Sequence, residues 1–147
     1  MVKKAQPAYE KDFYAWTIHN AQLLKSGKLS DIDVEHIAEE IESMGKSEKR
    51  ELLNRLAILL THLLKWKYQP AKQSKSWELT IKEHRFELND LLLDSPSLKA
   101  MLLKQFSHAY QKTLILAEKE TGLLKKTFPK EAPFSLKQAL QKGYLPK

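Results

Sequence analysis

Glu40, His62, Arg85, Glu120 and one indole, Trp66 or Trp77, are the side chains whose chemistry and spacing single them out in this 147-residue chain. On helical spacing each falls in or beside an apolar arc. A charge placed there is costly unless it is paired and hydrogen-bonded. Two arrangements satisfy that demand. The first is an interhelical network that fixes helix register, with Glu40 or Glu120 against Arg85 and His62 hydrogen-bonded nearby. The second is a polar pocket in which His62 works as general acid or base and Arg85 binds an anion.

Metal chemistry fits poorly. There is no cysteine, no His-Glu-x-x-His and no Glu-x-x-His of the di-iron bundle kind. Asp33-x-x-His36 is present, but His36 points off its helix's apolar face, and His19 and His108 also fall on outer faces. Only His62 and His84 remain as inward histidines. No metal or other cofactor is therefore expected. A serine triad, a phosphate-cradling glycine loop and a nucleotide fingerprint are also missing. Trp16, Trp66 and Trp77 read as core residues rather than as stacking platforms.

The element that must position these groups is Lys49 to Tyr68. At about 100° per residue, Leu52, Leu56, Leu59, Leu63 and Trp66 share one stripe, with Leu53, Leu60 and Leu64 beside it. That arc is wider than the stripe of an ordinary surface helix, which makes this the central helix. Arg55 and His62 flank it on the Trp66 side. Before it, a helix over about 9–26 presents Phe13, Trp16, Thr17, Asn20 and Leu24, with Gly27 as its stop. A second begins near residues 30–33 and gathers Val34, Ile37, Ala38, Ile41 and Met44. Gly45 is expected to end it, and Ser47 to cap the central helix.

After Gln69-Pro70, a helix over about 76–93 turns Trp77, Thr80, Ile81, His84, Leu88, Leu91 and Leu92 inward, with Arg85 at the edge. Ser95-Pro96 signals the next helix, which Gly122 closes. Leu98, Leu102, Phe106, Ala109, Tyr110, Thr113, Leu116, Ala117 and Glu120 share its arc. Ser135 caps a short helix through Gln141. The expected fold is all-α, an antiparallel helical bundle of about five helices plus a short C-terminal helix, in one domain over 1–147. Antiparallel packing of the central helix on the 76–93 helix would let the His62 and Arg85 flanks meet around one acid.

Composition narrows the partners. The formal net charge is +7, and residues 99–147 carry 10 basic against 3 acidic side chains. Those lysines are scattered, without arginine or interleaved aromatics, and read as a solvated surface. Nucleic-acid binding there is expected to be weak and driven by phosphate charge. No apolar run approaches the length of a membrane span, and the N-terminus lacks a signal-peptide core. A soluble, cytoplasmic protein is expected.

Trp16, Glu39-Glu40-Ile41-Glu42 with Met44-Gly45, His62-Leu63-Leu64-Lys65-Trp66, and Ser76-Trp77 with Thr80-Ile81 and Arg85 form a recognisable set. Ser95-Pro96-Ser97-Leu98, Glu120-Thr121-Gly122-Leu123, Phe128-Pro129 and Leu145-Pro146 continue it. In these residues the chain resembles the bacterial domain-of-unknown-function family numbered twenty-nine. His84 stands where that family suggests glutamine. The resemblance implies an all-helical bacterial protein and brings no established activity. The expected function is a non-enzymatic interaction module, binding another macromolecule or a second copy of itself. The alternatives are a hydrolase-type enzyme using His62 with Glu40 and Arg85, and a weak nucleic-acid binder through the basic C-terminal third.

Overall fold

The computed structural model describes residues 7–147. Five α-helices follow one another: α1 (Phe13–Lys25), α2 (Val34–Tyr68), α3 (Lys75–Asp94), α4 (Leu98–Thr121) and α5 (Leu136–Leu140). Short 3-10 turns lie at Leu29–Asp31, Pro70–Lys72 and Lys125–Thr127, and no strand occurs among the described residues. The expected all-α class is what the described residues form. The chain divides into two compact units, residues 1–47 and 48–147.

The largest departure from expectation lies at Gly45. Gly45 does not end a helix: α2 runs unbroken from Val34 to Tyr68. A glycine inside a helix costs about 1 kcal/mol relative to alanine. Breaking the helix there would cost more, because two new ends would each leave four backbone groups without helical partners. The strong helix formers around it and the absence of a following proline settle the competition. Gly27 and Gly122 do stop helices, with φ of 72° and 73° in the left-handed region that suits a residue without Cβ.

In the first unit, Asp12 caps α1 by accepting from the amide of Ala15 at 3.1 Å. The buried residues of α1 are Trp16 and Asn20, while Phe13 and Leu24 of its expected inner face are exposed.

The second unit holds the leucine core. Leu52, Leu56, Leu59, Leu60, Leu63 and Leu64 are fully buried, packed with Ile81, Leu88, Leu102 and Tyr110. The central helix is therefore the second half of α2. Thr113 of α4 donates to the carbonyl of Ala57 at 3.1 Å, a bond across the buried α2–α4 seam. Ser74 caps α3, accepting from the amide of Trp77 at 3.2 Å. The chain starts α4 at Leu98, since Ser95 and Pro96 first make a turn whose carbonyls take the amides of Leu98 and Lys99. Ser135 and Gln138 form a reciprocal capping box on α5, which ends one residue earlier than expected. Tyr110 donates to the carbonyl of Pro129 at 2.7 Å and anchors the segment leading into α5. Burial pushes its hydroxyl pKa up to about 12.

Candidate functional site

The polar groups expected near one another find separate partners. Arg85 is buried, yet its guanidinium meets carbonyls: Nε donates to Ala139 O at 2.8 Å and Nη2 to Tyr144 O at 2.9 Å. Among the described residues no carboxylate lies within ion-pair distance of it. Burial lowers its pKa from the ordinary arginine value, but an arginine side chain stays charged at any pH a protein tolerates. Asn89, one turn on, donates to Leu140 O at 3.2 Å. Together they hold the carbonyl end of α5, where the helix dipole favours a cation.

Glu120 is exposed. It does continue the stripe of Leu102, Thr113 and Ala117, but that stripe outruns the core, and Glu118, Lys119 and Glu120 are all in solvent. Glu40 is half-buried in the first unit, where it accepts a short hydrogen bond from the Tyr9 hydroxyl. The Nδ1–H of His62 donates to the carbonyl of Ile58 at 3.0 Å, one turn back. Trp66 packs on the leucine core, and its carbonyl accepts from Gln73 at 2.8 Å. Trp77 carries the Lys65 ammonium 4.7 Å over its ring, a cation–π contact. Two grooves of the second unit, about 860 and 790 Å³, share Leu103 and Leu136. None of these six residues lines either groove.

The second inward histidine, His84, has a buried Nδ1 without a hydrogen-bond partner. Burial lowers its pKa, and the charges of Arg55 and His62 press the same way. Burial is the largest cause, and the carboxylates of Glu83 and Glu87 only partly offset it.

The sequence reading passed over the most connected polar group, which lies in the first unit. Asp33 precedes α2; its backbone carbonyl takes the amide of Ile37 at 2.9 Å and its side chain that of His36 at 3.4 Å. The same carboxylate accepts from Trp16 Nε1 at 2.8 Å and from His36 Nδ1 at 2.7 Å. Asn20 accepts the amide of Asp33 at 2.8 Å and donates to Trp16 O at 3.1 Å. Tyr9 stacks on the His36 ring at 4.1 Å between centroids. His36 does leave the apolar face of its own helix, but it does so to meet Asp33 and Tyr9. The visible signals were Asn20 on the inner face of α1 and the Asp33-x-x-His36 spacing.

Electrostatics follow from these bonds. The Asp33 hydrogen bond raises the pKa of His36 over the opposing effect of burial. Burial works to raise the pKa of Asp33, yet the bonds from Trp16 and His36 carry it below its ordinary value. Glu40 pushes the Tyr9 hydroxyl to about 12. A carboxylate that orients an imidazole is half of a general-base arrangement. No described serine or threonine hydroxyl bonds that ring, and no three His, Asp or Glu side chains gather as a metal set among the described residues. What the network does observably is tie α1 to the first turn of α2.

That tie leaves the other side of α2 uncovered. Val34, Ile41 and Met44 are 63%, 62% and 66% exposed, and Ala38 is exposed beside them. Every residue from 41 to 50 is in solvent. The apolar stripe read from the sequence is real, but Trp16 of α1 and Tyr9 before it meet the adjacent polar face through Asp33, His36 and Glu40.

The family model for the domain of unknown function DUF29 matches residues 8–145. The chain belongs to that family. No curated protein and no solved structure matches it. The DUF29 match takes in both the Asp33 network and the Arg85 contacts, so both lie inside the family's extent. No described helix of this DUF29 chain is long and apolar enough to cross a membrane.

Proposed function

We propose that this DUF29 chain is a non-enzymatic interaction module whose contact surface is the N-terminal half of α2. The observation that carries this reading is the apolar stripe of Val34, Ala38, Ile41 and Met44, exposed along one side of a well-formed helix. A contiguous apolar stripe bordered by charge is the usual mark of a docking surface. The polar network supports the same role, since Asp33, Trp16, His36 and Asn20 hold the adjacent polar face of that helix and leave the stripe open. Histidine chemistry has less behind it: His62 bonds its own helix and Arg85 is occupied by carbonyls.

The test is site-specific photo-cross-linking in the native cells, with a photoreactive phenylalanine at Ile41 or Met44 and a control at the exposed Glu118 of α4. The reading expects a discrete protein adduct from positions 41 and 44 and none from 118. Equal or absent labelling at all three positions would contradict it.

A further inference from the structure

The charge around the stripe bears on what kind of partner it takes. Between Leu29 and Gly45 the chain places Asp31, Asp33, Glu35, Glu39, Glu40 and Glu42 and no lysine or arginine, in a protein whose formal net charge is +7. Two of these acids are occupied within the first unit, Asp33 by Trp16 and His36 and Glu40 by the Tyr9 hydroxyl. Glu35, Glu39 and Glu42 are exposed, and among the described residues none of them forms a salt bridge. Lys46, one turn beyond Glu42, forms none with it either.

At about 100° per residue, Met44, Ile37, Ile41, Val34 and Ala38 follow one another around α2, and Glu42 and Glu35 come next. Those two carboxylates border the stripe on the edge away from Glu40. Nucleic acid and an anionic membrane carry the same sign as this border and are repelled by it. Two copies laid stripe on stripe over 34–44 would set acid against acid, which is costly.

Resting on the interaction-module reading, we infer that the occupant of the α2 stripe is an amphipathic helix of another protein, with lysines or arginines along the edge of its apolar face. Its apolar side chains, repeating at helical spacing, pack on Val34, Ala38 and Ile41. Its cations reach Glu35 and Glu42. Those carboxylates stand seven residues apart, about 10 Å along the axis, so a helix lying alongside meets both with cations two turns apart. The apolar contact holds the two helices together, while the charged edge sets register and speeds encounter. Glu39, one step further round, adds to the attraction without touching the stripe.

The experiment sequences the peptide captured in native cells by a photoreactive phenylalanine at Ile41. The captured segment is then synthesised and titrated against the purified full chain by fluorescence anisotropy. It should carry apolar side chains at helical spacing, bordered by two or more lysines or arginines. Glu42→Lys and Glu35→Gln should each weaken its binding several-fold, and added salt should weaken wild-type binding as the exposed charges are screened. Ile41→Lys should abolish binding. Glu118→Lys on α4 makes the same change in net charge as Glu42→Lys and should leave binding as it is. Circular dichroism should match the wild type for every variant, because each replaced side chain is exposed. A captured segment without a basic border, a second copy of this chain, or an affinity indifferent to Glu42→Lys would overturn the basic-helix assignment and leave the docking surface standing. If no adduct forms at 41 or 44, both fail.

Discussion

Arg85 donates through Nε to the carbonyl of Ala139 at 2.8 Å, which binds α3 to the carbonyl end of α5 across 54 positions of sequence. The sequence suggests an acid as its partner. The backbone supplies the partner instead, because the last carbonyls of any helix have no amide of that helix to accept from. Arg85→Ala should destabilise the fold by about 2–4 kcal/mol, through lost packing and two carbonyls deprived of a charged donor. Arg85→Met keeps most of the volume but leaves the same carbonyls unpaired, so it should still lose about 1.5–3 kcal/mol. With a carboxylate partner, methionine would have been the mild change. Denaturant unfolding gives the magnitudes, and faster amide exchange in 136–146 would locate the effect.

Leu59 has no exposed surface. Leu59→Ala should cost about 2–5 kcal/mol, the range for truncating a buried leucine whose surroundings collapse only in part. A loss under about 0.5 kcal/mol would remove α2 from the centre of the second unit.

The central leucine helix was legible because Leu52, Leu56, Leu59 and Leu63 repeat at helical spacing and nothing nearby competes for that core. The exposed stripe of α2 was legible as apolar but not as uncovered. Periodicity reports which residues share a side, and only the Trp16–Asp33 and His36–Asp33 bonds decide which side faces α1. Arg85 was legible only at the edge of the inward arc, and its partners are carbonyls, which leave no trace in residue identity. Glu120 misled because a stripe can extend past the core it serves.

The two histidines with shifted pKa should respond to acid in opposite directions. His36 is raised by Asp33, so its stabilising contribution is complete below the unfolded value of about 6.5 and is lost as pH rises through the folded value. Asp33 is lowered, so its contribution is present above about 3.9 and is lost as pH falls through the folded value. The first unit should be tightest between about pH 4 and 6.5. His84 is lowered by burial, so the unfolded chain binds its proton more readily and the second unit weakens as pH falls below about 6.5. Ring-proton titrations by NMR should place His36 above and His84 below that value. Asp33→Asn should return His36 toward it and leave His84 unchanged.

Gly45→Ala should stabilise α2 by about 0.5–1 kcal/mol, since the residue is helical and its Cβ would enter open space. Thermal melts measure the gain. A substitution that lowered the melting temperature would contradict the unbroken helix.

The most direct measurement of the contact surface is the methyl resonance of Met44 in methionine-labelled protein, recorded in buffer and in an extract of its native cells with Met101 as an internal control. Met44 is exposed on the stripe, while Met101 packs against the second unit's core. In the extract the Met44 signal should shift and broaden, the Met101 signal should hold, and Ile41→Lys should abolish the change. A Met44 resonance the same in extract and buffer, or one moving in step with Met101, would contradict docking through the N-terminal half of α2.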